Sequence, residues 1–184
     1  MKTISARQLS EILGFPLAAG SGDVLVTGGV STDTRKLPQG SAFFALRGEN
    51  FNGDAFAAKA LTDGASVAVV QHWEGEAPAD AAVIVVSDTL LALQRLACWW
   101  RKQLDIPVVA ITGSNGKTST KDFTSAVLSR KFNVSATLGN LNNHIGVPLT
   151  VLATTSDHTA AVWEMGMNHS GEIAPLCDIA RPKY

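Results

Sequence analysis

The residues best suited to chemistry stand together in the stretch TGSNGKTST, residues 112–120. Gly113 and Gly116 can adopt a positive φ angle, which lets the backbone approach a ligand closely. Lys117 can then reach the β- and γ-phosphates of a nucleotide, and Thr118 can offer its hydroxyl to Mg²⁺. An apolar strand-like run precedes the stretch and a helix-like run follows it, so a helix N-terminus adds partial positive charge. The pattern therefore predicts a nucleotide site.

The stretch departs from the full phosphate-loop pattern at one position, because the glycine expected at 111 is Ile111 here. The alternative is a glycine-rich turn between a strand and a helix that carries an exposed lysine and binds nothing. Since the loop, the lysine, the hydroxyl and both flanking segments agree, the nucleotide site is the interpretation that we favour.

Two candidate residues follow the last strand-like run of the chain. Glu164 ends the run TAAVW, and His169 lies within the segment EMGMNHSGEI. Open parallel sheets bind ligands at the carboxyl ends of their strands, so Glu164 is the best candidate for a Mg²⁺ ligand, directly or through water. His169 is a candidate to contact metal or substrate phosphate. The alternatives are a solvated acid at a strand end and an exposed loop histidine.

Two polar regions are candidates for binding substrate. The segment GNLNNHIGVP, residues 139–148, is dense in amides and ends in a proline turn. Its asparagines offer donors and acceptors to sugar, phosphate or peptide groups, although ordinary loops are also rich in Asn and Gly. In the N-terminal half, a polar cluster at residues 31–35 and the turn GENFNGD at 48–54 lie between apolar strands. Composition alone favours two surface turns there, with Arg35 pairing an acid.

The composition limits the class of protein. The 184 residues are 46% hydrophobic and 17% charged, which is typical of one globular domain or two small ones. A net charge of −1 gives no general attraction to nucleic acid or anionic lipid, so we expect neither as a partner. No apolar stretch approaches the roughly 20 residues of a membrane span, and the N-terminus lacks the apolar run of a signal peptide. We therefore expect a cytoplasmic protein with no membrane insertion.

The first half alternates strand-like and helix-like segments, which predicts a small α/β domain. Ser5 is a candidate N-cap for a short helix that ends at Gly14. Asp88 begins a longer helix with apolar residues at spacings of three and four. This pattern places a domain at residues 1–86 and a connecting helix at 87–106.

The second half reads strand, loop, helix and strand, which is the beginning of a parallel sheet with crossover helices. The helix after the glycine loop is predicted to be amphipathic, with Phe123, Val127 and Leu128 on its apolar side. Only two or three convincing strands follow Pro107, whereas doubly wound sheets usually hold about five or more. We therefore expect residues 107–184 to form the first part of a larger domain.

Four segments in this order resemble the Mur ligases, which build the peptide stem of the bacterial cell-wall precursor. They are STDTRKLPQGSAFFALRG, TGSNGKTST, GNLNNHIGVPLT and WEMGMNHSGEI, so the resemblance covers nearly the whole chain. The glycine loop is shared across the superfamily, including folylpolyglutamate synthetases. The N-terminal segment and the Asn-rich loop narrow the resemblance within that superfamily. The pattern is most similar to the member that joins D-alanyl-D-alanine to UDP-N-acetylmuramoyl-tripeptide.

The resemblance implies a three-domain enzyme, of which this chain would carry an N-terminal α/β domain for the UDP-sugar and the start of a P-loop ATPase domain with a parallel sheet. It implies that Lys117, Glu164 and His169 act in catalysis and that Thr118 and Glu164 hold Mg²⁺. The residues implied to wrap the phosphates of ATP are Gly113, Ser114, Asn115, Gly116, Lys117, Thr118 and Ser119.

The resemblance also implies substrate contacts. The residues implied around the uridine are Thr32, Thr34, Glu49, Asn50 and Phe51, so the two N-terminal turns become the predicted uridine site. The residues implied near the muramoyl part of the substrate are Asn142, Asn143, His144 and Asn168, with His169 beside them.

The implied chemistry is amide-bond formation through an acyl phosphate, with ATP and Mg²⁺ as cofactors. The implied substrates are UDP-N-acetylmuramoyl-tripeptide and D-alanyl-D-alanine, and we expect a monomer. We also expect that these 184 residues alone do not complete the ligation, because the family's acceptor-binding domain lies outside them. The alternatives are a sister ligase with another acceptor, a folylpolyglutamate-synthetase-type ligase, a P-loop kinase or NTPase, and a UDP-sugar binding module without activity.

Overall fold

The computed structural model describes residues 1–48 and 51–184, which divide into two compact units. We call Lys2–Leu96 the N-terminal unit and Ala97–Tyr184, together with Met1, the C-terminal unit. Each unit contains helices and a sheet with parallel strands, which confirms the predicted α/β fold class. Within the described residues, no helix combines the length and the apolar character that crossing a bilayer requires.

A short helix with both ends capped opens the N-terminal unit. The first elements are β1 (Ile4–Ser5), α1 (Ala6–Leu13), β2 (Leu17–Gly20), β3 (Leu25–Val26) and β4 (Val30–Ser31). The Ser5 hydroxyl accepts from the Gln8 N–H at 3.1 Å, and the Gln8 side chain accepts from the Ser5 N–H at 3.0 Å. Gly14 ends α1 with φ 75°. The predicted N-cap and helix stop are therefore confirmed, because both signals are local.

A five-stranded sheet forms the centre of the N-terminal unit. The further elements are a 3₁₀ turn (Thr34–Lys36), β5 (Ala42–Phe44), β6 (Arg47–Gly48), β7 (Phe51–Asn52), a 3₁₀ turn (Gly53–Phe56), α2 (Ala57–Thr62), β8 (Val67–Val70) and β9 (Ala82–Val85). The strand order is β2-β9-β8-β5-β4, in which β2 is antiparallel to β9 and the other neighbours are parallel. All of β8 is buried, as expected for an interior strand of such a sheet. The strands β6 and β7 pair separately as an antiparallel ribbon.

The long helix α3 covers Thr89–Arg101. The Asp88 carboxylate accepts from the N–H groups of Leu90 and Leu91 at 2.8 and 3.0 Å, so Asp88 caps the helix that the sequence predicts to begin there.

A three-stranded parallel sheet forms the centre of the C-terminal unit. Its elements are β10 (Val108–Ile111), α4 (Lys117–Leu128), β11 (Val134–Ala136), α5 (Gly146–Ala153), β12 (Ala160–Glu164) and α6 (Ile173–Ala180). The strand order is β10-β12-β11, and every residue of the central strand β12 is buried. Ile111 pairs with Glu164 in the register of β10 and β12. The glycine loop therefore leaves the sheet beside the residue that the sequence singles out as a metal ligand.

Two local predictions in this unit are wrong. Phe123 and Val127 do not face the sheet, because their exposed fractions are 73% and 71%, whereas Lys121 is only 6% exposed. Polar contacts made by Thr118 and Lys121 fix which side of α4 meets the sheet. The predicted proline turn is also absent, since Pro148 is buried within the first turn of α5. A proline fits there because the first N–H groups of a helix have no partner inside the helix.

Candidate functional site

The glycine loop adopts the backbone that the sequence predicts. Gly113 has φ 145° and Gly116 has φ 76°, and Gly116 is the N-cap of α4. A Cβ atom at Gly116 would meet nothing within 4 Å, so glycine is needed there for its backbone conformation and not for space. The loop thus delivers the N–H groups at the start of a 12-residue helix to the carboxyl edge of the sheet. That arrangement is suited to an anion.

Lys117 is the first residue of α4, and its side chain folds back over the glycine loop. The Nζ atom donates to the Gly113 carbonyl at 2.7 Å, so the ammonium lies at the loop. An ammonium has three donors and a flexible stem, which allows Lys117 to turn from the carbonyl to a phosphate without moving the helix.

Glu164 is a buried carboxylate at the end of β12, with 3% of its surface exposed. Its Oε2 accepts from the Thr118 hydroxyl at 2.9 Å, and its Oε1 accepts from Nδ2 of Asn142 at 2.8 Å. The structure therefore brings Thr118 and Glu164 together, as a shared metal site would require.

The donor set around Glu164 fits Mg²⁺. Among the described residues, no cluster of three or more His, Cys, Asp or Glu side chains could hold a metal ion by itself. Magnesium usually takes one or two carboxylates, and waters and substrate phosphates complete its six oxygen ligands. The Thr118 hydroxyl and a Glu164 carboxylate oxygen, 2.9 Å apart beside the glycine loop, are suited to be the protein's ligands in such a set. Glu164 and Thr118 would hold the ion there.

The Asn-rich segment does not present its three polar residues as one surface. The Asn142 side chain contacts Glu164, and its carbonyl accepts from the Gly166 N–H at 2.8 Å. Asn143 Oδ1 accepts from the N–H groups of Ile145 and Gly146 at 3.1 and 2.8 Å, which starts α5. His144 is exposed. The sequence assigns all three to the substrate, and those roles stay predictions.

His169 and Asn168 belong to a separate turn after β12. The His169 ring Nδ1 lies 3.1 Å from Glu172 Oε1, and the Asn168 N–H donates to Glu172 Oε2 at 2.8 Å. The Asn168 N–H, followed by the His169 ring, lowers the pKa of Glu172 from its ordinary value. The His169 side chain is 85% exposed, so its predicted role in catalysis stays a prediction.

The N-terminal unit contains a pocket of about 530 Å³ around the polar cluster. Its lining residues are Thr32, Asp33, Thr34, Arg35, Phe43, Phe51 and Phe56. The structure therefore brings together Thr32, Thr34 and Phe51 of the predicted uridine site, whereas Glu49 and Asn50 lie outside the described residues. The Phe51 and Phe56 rings stack with centroids 5.5 Å apart and planes 13° apart, which gives the pocket an aromatic side.

An ion pair forms the polar side of this pocket. Arg35 Nη2 donates to Asp33 Oδ2 at 2.7 Å, and the Arg35 backbone N–H donates to Asp33 Oδ1 at 3.0 Å. The Arg35 side chain, and then its backbone N–H, lowers the pKa of Asp33 to about 2. The sequence interpretation that Arg35 pairs an acid is therefore confirmed.

Sequence reasoning missed two buried polar residues near Glu164. Thr137 is 1% exposed, and its hydroxyl accepts from the Glu164 N–H at 2.9 Å. Lys121 donates from Nζ to the Thr137 carbonyl at 3.0 Å. Lys121 stands four residues after Lys117, which places both on one side of α4. That spacing was the one signal in the sequence that could have identified it.

Two family models match the chain, and both describe Mur ligases. The model "Mur ligase family, catalytic domain" matches residues 27–101, which include the pocket of the N-terminal unit. The model "Mur ligase middle domain" matches residues 111–184, which include the glycine loop and Glu164.

Individual relatives agree with these matches. The UDP-N-acetylmuramoyl-tripeptide–D-alanyl-D-alanine ligase of Bacillus subtilis is 43% identical over 97% of this chain and 39% of its own length. A crystal structure of MurF from Acinetobacter baumannii matches 99% of this chain and 40% of its own, with a TM-score of 0.87 at 36% identity. The MurF ligase from Thermotoga maritima, solved in complex with ADP, matches 85% of this chain and 36% of its own, with a TM-score of 0.75 at 30% identity. The chain thus spans about 39% of the length of the first of these relatives.

Proposed function

The chain belongs to the Mur ligase family, and from that premise we propose that it carries the ATP site and the UDP-sugar pocket of an enzyme that joins D-alanyl-D-alanine to UDP-N-acetylmuramoyl-tripeptide. Because the chain spans about 39% of the length of such a relative, the complete reaction is proposed for the whole enzyme. The chain would contribute the site that activates the acid.

The observation that carries the proposal is the juxtaposition of the glycine loop, Thr118 and Glu164. The loop presents helix N–H groups and Lys117 to an anion, and the buried carboxylate lies one hydrogen bond from the first turn of α4. The relative from Thermotoga maritima, named as a complex with ADP, supports a nucleotide as a ligand. The identity to the Bacillus subtilis enzyme supports D-alanyl-D-alanine as the acceptor in preference to that of a sister ligase.

The proposed chemistry begins with the substrate carboxylate, which is a poor electrophile until it is phosphorylated. The carboxylate attacks the γ-phosphorus of ATP, ADP leaves, and the amine of D-alanyl-D-alanine then attacks the acyl phosphate and releases phosphate. Lys117 and the loop N–H groups stabilise the negative charge on the phosphoryl oxygens during the first transfer. Bound Mg²⁺ would supply further charge neutralisation on the phosphates. Glu164 and Thr118 would orient the phosphates by holding that ion.

We assign the two units to the two parts of the substrate set. The N-terminal unit, corresponding to the domain predicted at residues 1–86, would take the uridine between Thr32, Thr34 and Phe51, with Glu49 and Asn50 as further sequence-based candidates. Residues 87–106 would connect it to the first part of the ATPase domain at 107–184. The residues proposed nearest the muramoyl group remain Asn142, Asn143, His144 and Asn168, with His169 beside them.

Titration calorimetry on the 184-residue chain tests this function. We expect UDP and a non-hydrolysable ATP analogue with Mg²⁺ to bind at independent sites. Lys117→Ala should weaken the binding of the ATP analogue by about 10- to 100-fold, because a hydrogen bond to a charged group contributes about 1.5–3 kcal/mol. UDP affinity should not change, and neither should the melting temperature, because the hydrogen bond that is lost, to the Gly113 carbonyl, is exposed.

The matched control is Lys102→Ala, which removes an exposed lysine from the same unit. It should leave both affinities unchanged. Equal affinity of wild type and Lys117→Ala for the ATP analogue would contradict the proposal. Binding of UDP with no binding of the analogue would favour the alternative of a UDP-sugar binding module.

A further inference from the structure

A buried lysine lies under the nucleotide site and has no part in the proposed chemistry. Lys121 is 6% exposed, and its Nζ donates to the Thr137 carbonyl at 3.0 Å. Lys121 Nζ also lies 3.0 Å from Asp122 Oδ1, on an exposed side chain. Burying an ammonium costs free energy unless its donors are satisfied, so the Thr137 carbonyl holds Lys121 in one place.

Thr137 continues the pairing of β11 with β12 beyond the end of β11. Its backbone N–H donates to the Val162 carbonyl at 3.3 Å. Its hydroxyl accepts from the Glu164 N–H at 2.9 Å, where a regular parallel ladder would use the Thr137 carbonyl. The side chain therefore fixes the main chain of Glu164 just before β12 ends.

These contacts join the start of α4 to Glu164 by two routes. The direct route is the hydrogen bond from the Thr118 hydroxyl to the Glu164 carboxylate. The indirect route runs from Lys121 to the Thr137 carbonyl, and from the Thr137 hydroxyl to the Glu164 backbone. One route constrains the carboxylate and the other constrains the backbone that carries it. Together they set where Glu164 Oε2 lies relative to the glycine loop.

We propose that Thr137, held by Lys121, is a positioning residue that sets the Glu164 carboxylate for a Mg²⁺–nucleotide complex. The inference rests on the proposed function, since it assigns the Lys121–Thr137 pair to the same site. Partners that orient a metal ligand typically change metal affinity by about 10- to 100-fold when they are removed. The glycine loop itself is held by other contacts, so the nucleotide without metal should be little affected.

The test compares the affinity of the 184-residue chain for a non-hydrolysable ATP analogue in Mg²⁺ with its affinity in EDTA. Thr137→Val keeps the shape of the side chain and removes the hydroxyl. We expect it to lower the ratio of the affinity in Mg²⁺ to the affinity in EDTA by about tenfold or more. The affinity in EDTA itself should change by less than about threefold. Thr137→Ser restores the hydroxyl and should restore the ratio. Lys121→Met, which keeps the length of the stem, should lower the ratio in the same direction.

A matched control separates positioning from stability. Thr154 is also 1% exposed in the same unit, and its hydroxyl donates to the Thr150 carbonyl at 3.0 Å. Thr154→Val should lower the melting temperature and leave the Mg²⁺-to-EDTA ratio unchanged. A Thr137→Val chain with the wild-type ratio would overturn the inference while the proposed function stands. A wild-type chain that binds no nucleotide would overturn both.

Discussion

At the residue scale, the central group is the Glu164 carboxylate. It is buried, and its two oxygens accept from a hydroxyl and an amide, Thr118 and Asn142. Both donors are neutral, so neither contact supplies a positive charge. A divalent cation that arrives with a nucleotide would supply one and would replace the Thr118 hydrogen bond. The Thr118 hydroxyl then becomes a ligand alongside the carboxylate, which is the same pair of oxygens used in a different way.

The Asp33–Arg35 pair gives a prediction at the same scale. Replacing Arg35 by glutamine, R35Q, should raise the pKa of Asp33 from about 2 toward its ordinary 3.8, because the side-chain hydrogen bond is the largest cause of the shift. Since the folded-state pKa is depressed, the stabilisation from this pair is fully present above pH 3.8 and is lost as the pH falls through about 2. Carboxyl NMR titration measures the midpoint directly.

The control for this titration is R7Q. Arg7 pairs with Asp23 at 3.3 Å and is not among the residues that lower the pKa of Asp33, so R7Q should leave the Asp33 midpoint near 2. An Asp33 midpoint that R35Q does not move would show that the ion pair does not form at the pocket.

At the element scale, the site exists because two parallel strands end side by side. Ile111 pairs with Glu164 in the register of β10 and β12, and α4 begins six residues after Ile111. The glycine loop that joins β10 to α4 is short, so the N-terminus of α4 must lie against the end of β12. The hydroxyl of Thr118 then falls within reach of Glu164. A short loop and a strand register are enough to produce the site.

A second element, the ribbon of β6 and β7, brings Phe51 to the pocket of the N-terminal unit. Asp54 anchors it: Oδ1 accepts from the Gln71 N–H at 3.1 Å, Oδ2 accepts from the His72 N–H at 2.9 Å, and the carboxylate pairs with Arg47. The Asp54 side chain is 8% exposed, and its loss would leave the Gln71 and His72 N–H groups without this acceptor.

We predict that Asp54→Ala lowers the free energy of unfolding by about 1–3 kcal/mol, because it removes two backbone hydrogen bonds to a charged group and the ion pair with Arg47. It should also weaken the binding of UDP, because the ribbon that carries Phe51 loses its anchor. Thermal unfolding and calorimetry with UDP measure the two effects. Asp63→Ala, which breaks only the exposed pair with Lys59, should change stability by less than about 0.5 kcal/mol and leave UDP binding intact. Unchanged UDP affinity in Asp54→Ala would separate the pocket from the ribbon.

How much of this could be predicted depends on whether a contact is local. The cap of α1 at Ser5, the cap of α3 at Asp88 and the positive φ angles of Gly113 and Gly116 follow from neighbouring residues, and the structure confirms them. The contacts of Glu164 with Thr118 and Asn142 join positions 46 and 22 residues apart. Those contacts depend on the order of the strands in the sheet. The sequence predicts only that the strands are parallel.

The side of α4 that meets the sheet also depends on contacts between residues far apart in the sequence. Apolar spacing favours Phe123 and Val127, yet both are exposed and Lys121 is buried. Periodicity identifies a helix and an apolar stripe, but the rotation of the helix is decided by contacts with Thr137 and Glu164 that periodicity does not contain.

At the scale of the whole molecule, the chain divides into two units, and a candidate binding region lies in each. The N-terminal unit has a pocket with an aromatic and a polar side, and the C-terminal unit has the glycine loop beside a buried carboxylate. Each region lies within a segment matched by a Mur ligase family model. That division fits an enzyme whose nucleotide-sugar substrate and ATP are held by different units.

A crystal structure of this chain with Mg²⁺ and a non-hydrolysable ATP analogue tests the nucleotide site most directly. We expect the triphosphate inside the loop of residues 113–118, with Lys117 Nζ moved from the Gly113 carbonyl to a phosphate oxygen. We also expect Mg²⁺ on oxygens of Thr118 and Glu164. A saturated crystal in which the analogue lies elsewhere, with Lys117 still on Gly113 and Thr118 still on Glu164, would contradict the proposed site.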